Sequence, residues 1–294
     1  MDPIFERAAE FLLTHARLLE RRIFAHTHRG GPAQAVAEVL RGYVNPDGGF
    51  GSALEPDLRT SESQPIFVEV GLQALAEVGH RDRPLAERLC GFLESVADAS
   101  GLVPAALPGA LESPRAGHWN GPFALDPSLN PTLGICGLLH FQGVHSAWLD
   151  RATRTCVDSL RKEIPKEAHT LLGATHFLDQ VPDPPAIDGL FERVAEAIPT
   201  ANFFILEAPV DRYGLTPLHF ATHPESRWSS LFSEDCLRAH LDDLRSKQQE
   251  DGGWPISWTP PGPAAELEWR GRITLDALRV LASFGVLERP PRSF

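Results

Sequence analysis

Two acidic-glycine-glycine-aromatic turns punctuate this chain, Asn45-Pro46-Asp47-Gly48-Gly49-Phe50 and Gln249-Glu250-Asp251-Gly252-Gly253-Trp254. Aspartate suits the first position of a tight turn, and paired glycines reach positive φ angles that other residues resist. The aromatic that follows then has a fixed place to pack against the preceding helix. One copy would be a turn and nothing more. Two copies, each followed by a similar apolar helix, indicate a repeated architectural unit.

Apolar residues recur at three- and four-residue spacings through most of the sequence, the period of an amphipathic helix. That pattern predicts helices at 3–26, 32–43, 63–79, 84–98, 130–143, 146–161, 166–180, 185–198, 234–248 and 271–286. Period-2 alternation is nearly absent, and Asn202–Leu206 is the single candidate strand. The fold class expected is all-α. The helices come in two kinds. Those at 84–98, 146–161 and 234–248 carry a charged face that includes Arg88, Glu94, Arg151, Asp158, Asp242 and Arg245. Those at 65–78, 131–141 and 273–284 are apolar nearly all round, the mark of a buried helix. Alternation of wet and buried helices fits a barrel with an inner and an outer ring.

The buried helices align. Pro65, Gly71, Leu72, Leu75 and Gly79 match Pro131, Gly137, Leu138 and Phe141, and match Gly271, Ala277, Leu278, Leu281 and Gly285. Small residues inside a helix let a neighbour approach closely, and a glycine after its end suits a C-cap. Glycine turns of this kind, set between an outer and an apolar inner helix, resemble the QW-type repeats of the terpenoid cyclase and protein prenyltransferase superfamily. The resemblance is carried by 45–79 and 248–285, with a degenerate copy at 118–143 where Trp119 stands in place of the glycine turn. It implies an α/α toroid over residues 1–294 as one domain, reduced from a six-hairpin ring.

The catalytic signatures of that superfamily are missing. There is no Asp-x-Asp-Asp run for protonating an isoprenoid. The only adjacent aspartates, Asp242-Asp243, lie on an outer-type helix, and the residue that would complete a magnesium motif is Ser246. Zinc-binding Asp-x-Cys has no counterpart near Glu62-Ser63-Gln64, and Asp235-Cys236 precedes its glycine turn. No phosphate loop of the P-loop or Rossmann type is present. The expectation is therefore no metal and no cofactor, and the fold resemblance does not carry the function over.

Other residues remain for chemistry. Glu55, Asp57, Arg59, Glu62 and Gln64 crowd the segment after the first turn, where a toroid opens its cavity. Trp258, Glu268, Trp269 and Arg270 follow the second turn, with Glu268 matching Glu62, and Arg270 matching Gln64 and Asn130. Carboxylates brought together push their pKa values apart, so that one serves as acid and another as base. Glu55, Asp57, Glu62 and Glu268 are the catalytic candidates. Arg59, Gln64, Glu69, Trp119, Asn130, Tyr213, Trp258, Trp269 and Arg270 are the candidates for binding substrate, the arginines as clamps on an anion. Glu69 lies in an otherwise apolar helix and needs a partner or a purpose. Simpler roles stand beside these: Ser61, Glu62, Ser63 and Glu268 as helix caps, and Trp119, Trp254 and Trp269 as packing.

The function expected is that of a metal-independent small-molecule enzyme, a lyase or cyclase that expels phosphate or sulfate. Two alternatives stay open: a cyclase or prenyl-transfer enzyme on a prenyl substrate, and a non-catalytic binding or scaffold subunit. A net charge of −12 opposes binding to nucleic acid. No apolar run is long enough to span a membrane. Four scattered cysteines without C-x-x-C spacing, and an N-terminus unlike a signal peptide, fit a cytoplasmic chain. A protein partner or a homo-oligomer is compatible with all of this.

Overall fold

The computed structural model describes residues 2–121, 124–182 and 184–287. Among them the fold is helical, and extended segments meet only in isolated bridges. The chain forms two compact units. One is Val36–Asn202; the other combines the chain up to Ala35 with the chain from Phe203 onward.

The Val36–Asn202 unit holds α4 (Pro65–Glu77), α5 (Arg83–Val96), α6 (Leu129–Phe141), α7 (Ala147–Lys162), α8 (Ala168–Gln180) and α9 (Leu190–Ala197). The other unit holds α1 (Pro3–His15), α2 (Leu18–Arg29), α10 (Pro217–Phe220), α11 (Glu234–Ser246) and α12 (Pro263–Ser283). Helix α3 (Gln34–Arg41) straddles the division. The two kinds of helix expected from the sequence are present. Helix α6 buries every residue from Pro131 to Leu139, whereas α7 and α11 bury a single stripe.

Glycine sets the tightest seam. A Cβ on Gly137 would stand 2.8 Å from the His176 carbonyl oxygen and 2.9 Å from the Phe177 Cα, so α6 and α8 meet backbone to backbone there. Polar side chains start the amphipathic helices: Ser146 accepts from the Leu149 N–H at 3.0 Å and Ser233 from that of Cys236 at 3.2 Å.

The twin turns are two copies of one structure. In the first, the Asn45 N–H donates to the Gly49 carbonyl at 2.9 Å and Gly48 has φ +91°. In the second, the Gln249 N–H donates to the Gly253 carbonyl at 2.9 Å and Gly252 has φ +90°. Each aspartate accepts from the glycine two residues on, Asp47 from Gly49 at 3.0 Å and Asp251 from Gly253 at 3.1 Å. The aromatics are fully sunk, and the Phe50 ring lies where a Cβ on Gly71 would sit 2.3 Å from it.

Several boundaries differ from the periodicity. The helix expected at 3–26 is two, because Ala16 and Arg17 are extended and Arg17 turns back onto Glu20 at 3.0 Å. The last helix begins at Pro263 rather than 271, with proline at its first turn where no N–H is needed. No strand forms at Asn202–Leu206; Asn202 bridges Glu167, and Phe204 bridges Leu215. The expected helix at 185–198 splits into a 3₁₀ turn, Pro184–Ile187, and α9. All four cysteines are free thiols. No helix among the described residues is long and apolar enough to cross a membrane.

Candidate active site

The segment after the first turn folds into a hairpin. The Ala53 N–H donates to the Thr60 carbonyl at 2.9 Å, and Ser52 to that of Ser61 at 3.3 Å. Its bend begins with Ser52 at φ +57° and Ala53 at φ +56°, a left-handed conformation that costs a non-glycine residue about 1–2 kcal/mol. Strain of this kind gathers where surrounding structure must hold a loop in one shape.

That hairpin carries Glu55 and Asp57 inward. Their exposures are 5% and 1%, unusual for carboxylates in a surface loop. A second loop then pairs with it. The Arg59 N–H donates to the Pro114 carbonyl at 2.9 Å, and the Ala116 N–H to the Asp57 carbonyl at 2.8 Å. This pairing delivers the 3₁₀ turn Gly117–Asn120, and with it His118, whose Nε2 lies 3.9 Å from Asp57 Oδ2. One ligating atom each from Glu55, Asp57 and His118 lies within 4.8 Å of the others.

The imidazole is the exposed member of the trio. Burial of part of its ring, then the nearby His169, lower the His118 pKa, which favours the neutral base. Trp119 is 5% exposed and tilts against the His118 ring at 5.4 Å between centroids. His169 itself makes a short contact through Nδ1 with Glu167, which caps α8 by accepting from the Thr170 N–H at 2.9 Å. Burial raises the Glu167 pKa, but its bonds with His169 and Thr170 leave it lowered overall.

Glu69 is a different case. It sits on α4 in a stripe of partly exposed residues, Ile66, Glu69, Val70, Gln73 and Glu77, on a helix otherwise buried. Its carboxylate has no hydrogen bond or ion pair among the described residues, and desolvation alone pushes its pKa up to about 8. A Cβ on Gly134 of α6 would come 1.9 Å from Glu69 Oε1, so the glycine makes the room it occupies.

The remaining expected residues take varied places. Gln64 is fully buried, accepts from the Leu107 N–H at 2.6 Å, and keeps Nε2 as a buried donor with no partner among the described residues. Arg59 is half-buried and reaches the Pro56 carbonyl at 3.4 Å. Glu62 is exposed and lies against Gly109. Neither Glu62 nor the serines cap α4; Gln64 occupies that position without a side-chain bond, and Ser63 donates instead to Asp47 at 2.7 Å. Asn130 is half-buried at the start of α6, in non-helical geometry.

Tyr213, Trp258, Glu268, Trp269 and Arg270 belong to the other unit. Tyr213, Trp258 and Trp269 stack edge to face at 5.7 and 5.2 Å between centroids. Glu268 and Arg270 lie inside α12, not in a loop before it, so their positional match with Glu62 and Gln64 does not extend to local structure. The Arg270 guanidinium donates to Asp251 at 2.7 Å and to the Trp254 carbonyl at 3.2 Å, and lies 4.6 Å over the Phe11 ring. It locks the second turn.

Sequence reasoning missed His118, His169 and Glu167. The histidines looked dispersed, and only the backbone pairing of the two loops brings His118 beside Asp57. A hollow of about 470 Å³ on the face of α1 and α2, lined by Phe5, Glu6, Ala9, Glu10, Leu13, Thr14 and Arg29, has no imidazole in its lining.

No protein-family model matches the sequence, and no curated protein matches it. Three chains of solved structures do match. One is a crystal structure of a protein from Actinoplanes, 17% identical, with a TM-score of 0.59 over 95% of this chain and 98% of that one. At that identity the likeness concerns the fold alone.

Proposed function

We propose that this chain is a small-molecule enzyme of the lyase or cyclase kind, working by acid–base chemistry at the Glu55–Asp57–His118 cluster. One observation carries the reading: two buried carboxylates and a neutral-leaning imidazole converge from separate loops. Supporting it is Glu69, a carboxyl whose environment keeps its proton at neutral pH. A carboxyl that keeps its proton can serve as the acid that an elimination or intramolecular substitution requires.

In this reading His118, backed by Asp57, takes a proton from a carbon or hydroxyl of the substrate. The electron pair released forms the new double bond or ring bond, and the bond to the leaving oxygen breaks. Glu69 gives its proton to that oxygen, and phosphate or sulfate departs. The frame we propose is a reduced α/α toroid related to the terpenoid cyclase and prenyltransferase superfamily. All-helical architecture, alternating wet and buried helices and two glycine turns with the same hydrogen bonds support it.

The test is product release from a panel of phosphate and sulfate esters by the purified protein, comparing H118Q, D57N and E69Q with wild type. General acid–base groups contribute roughly 10²–10⁴-fold, and losses of that size in correctly folded variants are expected. Unchanged rates in all three would sink the mechanism. The edge-to-face aromatics Tyr213, Trp258 and Trp269 favour a second reading, an enzyme on a prenyl substrate. Saturable binding of a prenyl diphosphate analogue, lost in W258A and W269A, would select it.

A further inference from the structure

We propose that Glu55, Asp57 and His118 bind one divalent first-row transition ion, which holds the anionic group of the substrate. The first half of this stands on the cluster alone; the second rests on the anion-expelling reaction proposed above but takes His118 as a ligand instead of the base, because a coordinated imidazole nitrogen has no lone pair left for a proton. The trio is not merely a group of acids, because an imidazole nitrogen enters it from a separate loop. Ligand atoms around zinc lie about 2.0–2.2 Å from the metal, and so roughly 3–4 Å from one another. Asp57 Oδ2 and His118 Nε2, 3.9 Å apart, already meet that spacing. All separations in the set lie within 4.8 Å, so a side-chain shift of about an ångström or less closes any that exceed this spacing.

The donor set narrows the ion. Calcium and magnesium take oxygen ligands, whereas an imidazole beside two carboxylates suits zinc, iron or manganese. Three protein ligands leave coordination positions open, the pattern of a catalytic rather than a structural site. The opening is on the side of His118, whose side chain is 48% exposed while Asp57 is 1% exposed. A bound ion also answers a question of charge. Arg270, one of the two guanidiniums that the sequence nominated for the leaving group, is engaged by Asp251, Trp254 and Phe11. An ion held by this trio would supply positive charge for the leaving anion.

The competing cation is Arg59, on the same hairpin. Titration of the chelator-stripped full chain with Zn²⁺ and Co²⁺ by calorimetry and visible absorption separates the two. The expected result is one ion per chain. Binding should weaken about 100-fold in H118Q and D57N and stay unchanged in H145Q, which alters an exposed histidine outside the cluster. Adding inorganic phosphate should shift the Co²⁺ spectrum of the wild type. Because D57N alters a buried group, H118Q is the deciding variant. Wild-type protein that binds no ion, or H118Q that binds as well as wild type, would overturn the site. Chelator-resistant turnover that still depends on Asp57 would remove the ion's role and leave the acid–base reading standing. An ion bound without any turnover would do the reverse.

Discussion

Glu69 shows what one residue can reveal before any substrate is known. Its folded pKa of about 8 stands above the ordinary glutamate value of 4.5, so the folded chain keeps a proton that the unfolded chain releases. The resulting stability is full below about pH 4.5 and is lost as pH rises toward 8. E69Q should abolish this slope. Urea unfolding at pH 5 and pH 9 should show the wild type losing about 2–4 kcal/mol relative to E69Q, a figure discounted for the partial exposure of the carboxyl. Equal slopes in the two proteins would mean that Glu69 is ionised throughout. Gly134→Ala is the companion change. The atom it would strike is the tip of a flexible side chain, so the substitution should cost under about 1.5 kcal/mol while displacing the carboxyl and altering its titration. Glu69 was legible in the sequence, since an acid in an apolar helix announces itself. His118 was not, because no periodicity links residue 118 to residue 57. Their meeting depends on two loop-to-loop hydrogen bonds that local sequence does not encode.

At the scale of elements, the glycine turns are the strongest case of sequence specifying shape. Alanine at Gly48 or Gly252 meets a positive φ, and it also meets a neighbour. The new Cβ would stand 3.1 Å from the Arg88 carbonyl oxygen at the first turn, but 2.2 Å from that of Arg7 at the second. G252A should therefore cost about 3 kcal/mol and G48A about 1–2 kcal/mol, read from chemical denaturation. Equal costs would mean that the second turn relaxes away from Arg7. R270A should behave as a stability variant, losing about 2–3 kcal/mol through the Asp251 bond and the Phe11 contact. Helix ends were less legible than helix existence. The break at Ala16–Arg17 has no glycine or proline to mark it, and the local Arg17–Glu20 pair that accompanies it is too common to read as a stop. The early start of α12 moved Glu268 and Arg270 from a loop into a helix. That shift removed the local equivalence on which their pairing with Glu62 and Gln64 was drawn.

For the whole molecule, helical class was readable from period and composition, and the solved structure from Actinoplanes shares the fold across 95% of the chain. The chemistry was readable only in part. Glu55 and Asp57 stood out as acids beside a glycine turn, but their burial and their histidine come from tertiary structure. The central claim is that this trio, with Glu69, expels an anion from a small polar substrate. The most direct measurement is release of phosphate or sulfate from a panel of esters by wild type, D57N, H118Q and E69Q, with folding checked by circular dichroism. The account predicts a substrate that the wild type turns over and that each variant turns over at least 100-fold more slowly, the scale of general acid–base catalysis. A substrate processed equally by all four proteins would contradict it.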